Sequence, residues 1–156
     1  PAIGIEWVGH YDGAGRSLIR NGEPAQVSAT TRFDEALIAT GFPPNREQAP
    51  ENNFDSFQRV KRKARAVRRC GSAAIDICFV ADGTYDGYWE RRLHIWDIAA
   101  GSAFVLAGGG RISALDGGPP RYERGNLIAT NGHIHQELVT HVADSPSPQN
   151  QSRRVP

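Results

Sequence analysis

The second half of this 156-residue chain alternates short apolar segments of two kinds, and this alternation constrains the fold most strongly. Residues 73–81 form an alanine-rich apolar segment that follows Ser72, a residue type common at helix starts, and that is closed by Gly83. Residues 98–106 repeat this pattern before a run of glycines. Between the two segments, residues 85–90 contain the aromatic side chains typical of strands. Helices that alternate with short strands predict an α/β fold, built as an α+β layered sandwich.

The remaining segments extend this pattern in both directions. The first thirty residues are rich in turn signals between short apolar runs and predict a hairpin, and residues 36–41 predict a buried strand. Phe54, Phe57 and Val60 recur at intervals of three and predict a helix that begins near Asn52 or Asn53. The other predicted elements are strands at 66–68, 111–115 and 126–130 and a last helix at 134–142.

Length and charge exclude several classes of protein. A chain of 156 residues forms one compact domain or a part of a larger one. Its net charge of +1, from 18 basic and 17 acidic residues, predicts no general attraction to nucleic acid or anionic lipid. No apolar stretch approaches the roughly 18–20 residues that a membrane span needs, and the first residues do not have the pattern of a signal peptide. We therefore expect a soluble, cytoplasmic protein.

The two cysteines and the missing methionine give two further expectations. Cys70 and Cys78 stand in apolar surroundings without the spacing of a zinc site, so we expect reduced thiols in the core. The chain contains no methionine. Either an initiator methionine before Pro1 was removed or the sequence is a piece of a longer chain, and the motifs described below favour the piece.

Glu90 and Asp97 are the two carboxylates that the predicted elements bring together. Glu90 ends a strand and Asp97 lies at the start of the next helix, where the helix dipole favours anions. Asp97 is either a metal or phosphate-site residue or a plain helix cap, because Asp is among the preferred capping residues. Without further information, the preference for Asp at this position favours the plain helix cap.

Two other groups of charged residues suggest weaker alternatives. Residues 59–69 contain seven Lys or Arg and no acid, a pattern that fits nucleic acid or an acidic partner. The run lacks stacking aromatic side chains, so we favour a solvated helix face followed by a basic edge strand. His133 and His135 are two residues apart on a helix start, do not share a face, and are expected at the surface.

Several motifs between residues 21 and 132 resemble those of the inositol monophosphatase family. Tyr88-Trp89-Glu90 is followed by a Trp-Asp motif that opens a helix, with Glu90 seven residues before Asp97. The other matching segments are Asn21-Gly22-Glu23-Pro24, Val27-Ser28, Ala39-Thr40-Gly41-Phe42-Pro43, Ala107-Gly108-Gly109-Gly110, Leu115-Asp116-Gly117-Gly118-Pro119 and Asn126-Leu127-Ile128-Ala129-Thr130-Asn131-Gly132. The resemblance implies the C-terminal portion of the sugar-phosphatase fold.

Within that fold, the resemblance divides the chain into three parts. It implies that residues 1–42 are the end of a preceding α+β region, with a hairpin and a strand. Residues 43–143 are then the C-terminal α/β domain. Residues 144–156 are a polar, Pro- and Ser-bearing tail that we expect to be disordered, because it has little apolar area to bury.

The resemblance also implies residue roles. Asp97 resembles the catalytic carboxylate that holds a magnesium ion near the substrate hydroxyl. Glu90 resembles the residue that hydrogen-bonds inositol hydroxyls, and Gly71, Ser72 and Ala73 resemble the loop that contacts the sugar ring. The implied reaction is magnesium-dependent hydrolysis of an inositol phosphate or similar sugar phosphate by an activated water, without a covalent enzyme intermediate. Family habit further implies a homodimer. The net charge of the chain and its lack of a long apolar stretch predict neither a nucleic acid nor a membrane as partner.

The family's Asp-Pro-Leu/Ile-Asp-Gly-Thr motif, which supplies the other metal ligands, is absent from the sequence. Asp82-Gly83-Thr84 lacks the preceding Asp-Pro and is expected to be a turn, as are the Asp-Gly pairs at 12, 86 and 116. One carboxylate cannot organise a magnesium site, so we expect an inactive chain that needs the N-terminal half of the enzyme. The alternatives are a related phosphatase for histidinol phosphate or nucleotide bisphosphates, or an inactive RNA- or protein-binding fragment.

Overall fold

The computed structural model describes residues 3–12, 15–49 and 52–143. The strands are β1 (Trp7–Tyr11), β2 (Arg16–Arg20), β3 (Glu23–Ala25), β4 (Leu37–Thr40), β5 (Ala66–Arg68), β6 (Gly87–Glu90), β7 (Arg111–Ser113) and β8 (Leu127–Thr130). The α-helices are α1 (Phe54–Lys61), α2 (Ala73–Ala81), α3 (Ile95–Ala107) and α4 (His135–Val142). None of these helices is long and apolar enough to cross a membrane.

The strands form two sheets. The first is an antiparallel meander in the order β1-β2-β3, in which Leu18 lies opposite Gly9 and Ala25. The second has five strands in the order β5-β4-β6-β8-β7. Its β5, β4 and β6 are parallel, whereas β8 runs antiparallel to β6 and β7. The parallel part of this mixed sheet follows from its connections, because α1 joins β4 to β5 and α2 joins β5 to β6.

Helices cover both faces of the five-stranded sheet. Ala39, Tyr88 and Ala129 face α2 and α3 in one core cluster. Their immediate neighbours along the strands point to the opposite face, where a second cluster contains Ile38, Trp89 and side chains from α1 and α4. This alternation is the period of two that a strand imposes on its side chains. The predicted α/β layered fold is confirmed, and the meander packs against α3 as a further layer.

Most predicted elements are confirmed, with the largest difference at the start of α3. That helix begins at Ile95, so Asp97 is its third residue instead of the residue before it. The helix over residues 73–81 has the expected bounds, and Ser72 occupies the N-cap position without a side-chain capping hydrogen bond. β4, which we assigned to the first part of the chain, pairs with both β5 and β6. The tail from 144 lies outside the described residues.

Three expectations about individual side chains are wrong, all because tertiary packing differs from the local pattern. Cys78 is buried and Cys70 is exposed, although both thiols are free as expected. His135 is buried, whereas His133 is exposed. Asp86 does not sit in an open turn: its buried carboxylate accepts hydrogen bonds from Ser28 Oγ and Leu37 N at 2.5 and 2.6 Å, immediately before β6.

The Asp82-Gly83-Thr84 segment is a turn, as expected. Gly83 has a φ of +81°, a conformation that glycine adopts without strain. Asp82 Oδ1 accepts a hydrogen bond from Thr84 N, and Oδ2 accepts one from Trp7 Nε1 at 2.9 Å. Asp82 Oδ2 also lies 3.4 Å from Arg20 Nε. The carboxylate therefore joins the turn to the three-stranded sheet.

Candidate active site

An open cleft of about 450 Å³ lies at the carboxyl ends of β4 and β6. These two strands are parallel and adjacent, so their ends meet at one edge of the sheet, where ligands bind in open α/β sheets. The cleft walls come from residues 40–44, the loop before α2 with Asp76 behind it, and residues 90–94 with Asp97. All five residues that the resemblance assigned to substrate or metal therefore line one cavity.

Asn53 holds the two strand ends in place. Its Nδ2 donates hydrogen bonds to Thr40 Oγ1 and to the carbonyl oxygen of Gly41, at 2.9 and 2.7 Å. Its Oδ1 accepts a hydrogen bond from Trp89 Nε1 at 2.7 Å. The side chain is buried, and a buried amide that uses both of its ends fixes its neighbours firmly. One residue at the start of α1 thus positions both β4 and β6.

Glu90 is half-buried at the end of β6. Burial raises the pKa of its carboxyl, and a hydrogen bond from the buried Tyr88 hydroxyl to Oε2 opposes that increase. Gly41, directly after β4, lies against this carboxylate, and a Cβ atom there would collide with both carboxylate oxygens. The glycine therefore leaves the space that the carboxylate occupies, and Tyr88 fixes its orientation.

Asp97 caps α3 and faces the cleft at the same time. Its Oδ2 accepts a hydrogen bond from the backbone N–H of His94 at 3.0 Å, the arrangement of a capping box. The imidazole of His94 stacks on Trp96, with 4.5 Å between the ring centres. In the sequence, a helix cap and a site residue were alternative interpretations of Asp97. The structure is compatible with both roles, because the capping hydrogen bond uses only one of the two carboxylate oxygens.

The loop before α2 forms the side of the cleft between these carboxylates. Gly71 has a φ of +90°, which turns the chain into the helix. Ser72 and Ala73 follow it along the wall. Because the Ser72 hydroxyl does not cap the helix, it stays available to a ligand.

Asp76 is a cleft residue that sequence reasoning missed. It lies in the first turn of α2, is only 2% exposed, and its Oδ1 has no hydrogen-bond partner. Burial raises the pKa of this carboxyl to about 6, while the thiol and N–H of Cys70 act in the opposite direction. The signal in the sequence was a single charged residue inside an otherwise apolar helix.

The cleft therefore combines carboxylates with cations. Asp76 and Asp97 raise the pKa of Glu90 further, and Arg69 lowers it. The Arg69 guanidinium lies 5.8 Å from the centre of the Phe42 ring, and Arg92 donates a hydrogen bond to Asn45 Oδ1 at 3.0 Å. Carboxylates accept hydrogen bonds from hydroxyl groups and arginines bind anions, so the lining suits a hydroxylated anionic molecule.

The rest of the basic run lies outside the cleft. Arg59 packs on the end of α4, where it donates hydrogen bonds to the carbonyl oxygens of His141 and Ala143. The exposed members outside the cleft are Lys61, Arg62, Lys63, Arg65 and Arg68. They extend from the last residue of α1 to the end of β5, which is an edge strand of its sheet, as the favoured interpretation predicted.

A complete metal site is not formed by the described residues. No three His, Cys, Asp or Glu side chains among residues 3–12, 15–49 and 52–143 come together in a way that could hold an ion. Asp97 is the carboxylate that the resemblance assigned to magnesium, and Mg²⁺ requires near-octahedral oxygen coordination. The donor set present here therefore fits one ligand of such a site and not the whole.

Comparisons with known proteins agree with this geometry. The sequence model of the inositol monophosphatase family matches residues 8–147. The chain is 45% identical to an inositol-1-monophosphatase of Synechocystis, with 81% of this chain and 44% of that protein covered. It is 34% identical to the Nus factor SuhB of Pseudomonas aeruginosa, over 82% of this chain and 48% of that protein.

The structural comparison leads to the same family. The structure of an inositol monophosphatase from Anabaena matches with a TM-score of 0.85 and 36% identity, covering 93% of this chain and 59% of that one. The chain thus spans about half the length of these relatives. On its sequence and its fold, this chain belongs to the inositol monophosphatase family.

Proposed function

We propose that the chain is the substrate-binding part of a magnesium-dependent phosphomonoesterase that hydrolyses an inositol phosphate. The observation that carries this proposal is the convergence of Glu90, Asp97 and residues 71–73 on one cleft. The Synechocystis relative, which carries the name inositol-1-monophosphatase, supports the substrate class. Histidinol phosphate and nucleotide bisphosphates are the alternative substrates within the same chemistry.

Each residue has a separate task in this proposal. Glu90 accepts hydrogen bonds from ring hydroxyls, because Tyr88 fixes its carboxylate and Gly41 leaves room for it. Residues 71–73 contact the ring from the side. Asp97 contributes one carboxylate ligand to magnesium, which when bound stabilises charge on the phosphate ester. Since the described residues do not complete a metal site, the remaining ligands come from another part of the fold or another chain.

Fragment complementation tests the function. The purified 156-residue chain is mixed with the part of the Synechocystis relative that lies N-terminal to the matched region. We expect magnesium-dependent release of phosphate from inositol 1-phosphate by the mixture and none by either piece alone. Activity of the 156-residue chain by itself would show that it holds a complete metal site, and an inactive but stably associated mixture would contradict the phosphatase proposal.

Glu90→Gln separates specificity from chemistry. The substitution keeps the size of the side chain but removes the charge, and hydrogen bonds to charged groups contribute about 1–2 kcal/mol more than neutral ones. In the complemented enzyme, kcat/KM for inositol 1-phosphate should fall about tenfold, whereas an aryl phosphate without ring hydroxyls should be affected much less.

The matched control is Glu123→Gln, which alters an exposed carboxylate outside the cleft and should change neither rate. Equal losses on both substrates in Glu90→Gln would contradict a role in holding the polyol.

A further inference from the structure

Asp76 is a buried carboxyl in the wall of the cleft, and the proposed reaction gives it no task. The residue is only 2% exposed, yet it lines the same cavity as Glu90 and Asp97, and its buried Oδ1 has no hydrogen-bond partner. Buried polar atoms are nearly always paired with protein, water or ligand. We propose that Asp76 is a specificity residue whose side chain turns towards the cleft when the polyol binds, so that Oδ1 accepts a hydrogen bond from one of the ligand hydroxyls.

The packing of α2 does not require a carboxylate at this position. The helix buries Ile77 and Val80 against α3 and the sheet, and every other residue in it is apolar. The contact with the N–H of Cys70 needs only an acceptor oxygen, which asparagine also offers. Burial disfavours the ionised side chain, so the charge lowers stability where an amide would not. An unfavourable buried charge at the edge of a cleft is a common property of functional groups.

The position of Asp76 suits a ring with several hydroxyls. Tyr88 already occupies Oε2 of Glu90, so Glu90 alone holds few ligand hydroxyls. Asp76 lines the cleft together with residues 71–73 and provides a second acceptor, and it is close enough to Glu90 to raise the pKa of that carboxyl. A ligand with hydroxyls on neighbouring ring carbons engages both acceptors, whereas a ligand with one hydroxyl engages one. This inference rests on the proposed function and names a determinant of its substrate class.

Binding of myo-inositol to the 156-residue chain tests the inference. The dissociation constant is measured by NMR titration at pH 7 for the unaltered chain and for Asp76→Asn. We expect binding that is about tenfold weaker in the variant, because a charge-assisted hydrogen bond becomes a neutral one. The midpoint of thermal unfolding should stay the same or rise, because the buried charge is removed. Asp55→Asn is the matched control, since Asp55 is also in the first turn of a helix but lies outside the cleft.

The possible results separate this inference from the proposed function. Equal affinities in a chain that binds myo-inositol would overturn the role of Asp76 and leave the proposed function intact. Weaker binding together with a lower unfolding midpoint would assign Asp76 to the structure of the loop and also overturn it. If the unaltered chain does not bind myo-inositol at all, the polyol specificity and the role of Asp76 both fail.

Discussion

Replacing Asp97 by Asn lowers magnesium-dependent phosphate release by the complemented enzyme at least about 100-fold, if the carboxylate is a metal ligand. Metal ions contribute several kcal/mol of charge stabilisation in such reactions, and each 1.36 kcal/mol corresponds to a factor of ten in rate. A neutral amide is a poor ligand for a hard cation, so most of that contribution should be lost. The assay compares initial rates over a range of magnesium concentrations.

The fold should survive this substitution. The Asn side chain still offers an oxygen to the backbone N–H of His94, so only the favourable interaction between the charge and the helix dipole is lost. That interaction is worth about 0.3–1 kcal/mol. Asp116→Asn is the control, because Asp116 also accepts a backbone hydrogen bond, from Gly118 N at 2.9 Å, but lies outside this cleft. A variant that unfolds early yet hydrolyses substrate normally when folded would identify Asp97 as a cap alone.

Replacing His135 by Ala should lower the free energy of unfolding by about 3–4 kcal/mol, the usual cost of a buried cavity with broken hydrogen bonds. The ring is 1% exposed and connects Thr130 Oγ1 to Ser113 Oγ, at 2.8 and 2.9 Å from its two nitrogens. Ser113 Oγ donates its own hydrogen to the carbonyl oxygen of Ala114, so Nε2 of His135 must donate to Ser113. Nδ1 is then the acceptor for the Thr130 hydroxyl, and the imidazole is neutral.

Exposed His133, two residues earlier, is the matched control for this substitution. His133→Ala should change the free energy of unfolding by less than about 0.5 kcal/mol, as substitutions at the surface usually do. Urea denaturation at pH 7 measures both variants. Similar stabilities of the two variants would show that the buried connection between β7, β8 and α4 contributes little.

The His135 contribution should also depend on pH. Burial, followed by the positive charge of Arg111, lowers the pKa of His135 from 6.5 to about 4. The neutral His135 side chain therefore stabilises the folded chain fully above pH 6.5, and this contribution to the free energy of unfolding is lost as the pH falls towards 4. The loss is about 3 kcal/mol, because each unit of pKa difference corresponds to about 1.36 kcal/mol. Asp76 acts in the opposite direction, because its raised pKa means that stability is lost as the pH rises from 3.8 to about 6.

Comparing variants separates these opposing effects. The stability difference between the unaltered chain and His135→Ala should shrink from pH 6.5 to pH 4, since Asp76 is common to both. A difference that stays constant over that range would mean that His135 has an ordinary pKa in the folded chain.

The sequence by itself determined the class of fold, the order of most elements and the family. Apolar periodicity and glycine placement are local properties, so the helix over residues 73–81 and the strands on either side of it could be located without coordinates. The Glu90 and Asp97 motif is likewise a short-range pattern, and it led to the cleft.

Tertiary structure alone decided which polar side chains are buried and what they contact. His135 and Asp86 appear as ordinary surface residues in the sequence, yet both are buried by elements distant along the chain. Asp76 became a candidate only when the structure placed it in the lining of the same cleft as Glu90. The physical reason is that periodicity reports which face of an element is apolar, whereas burial of a polar group depends on partners supplied by non-local packing.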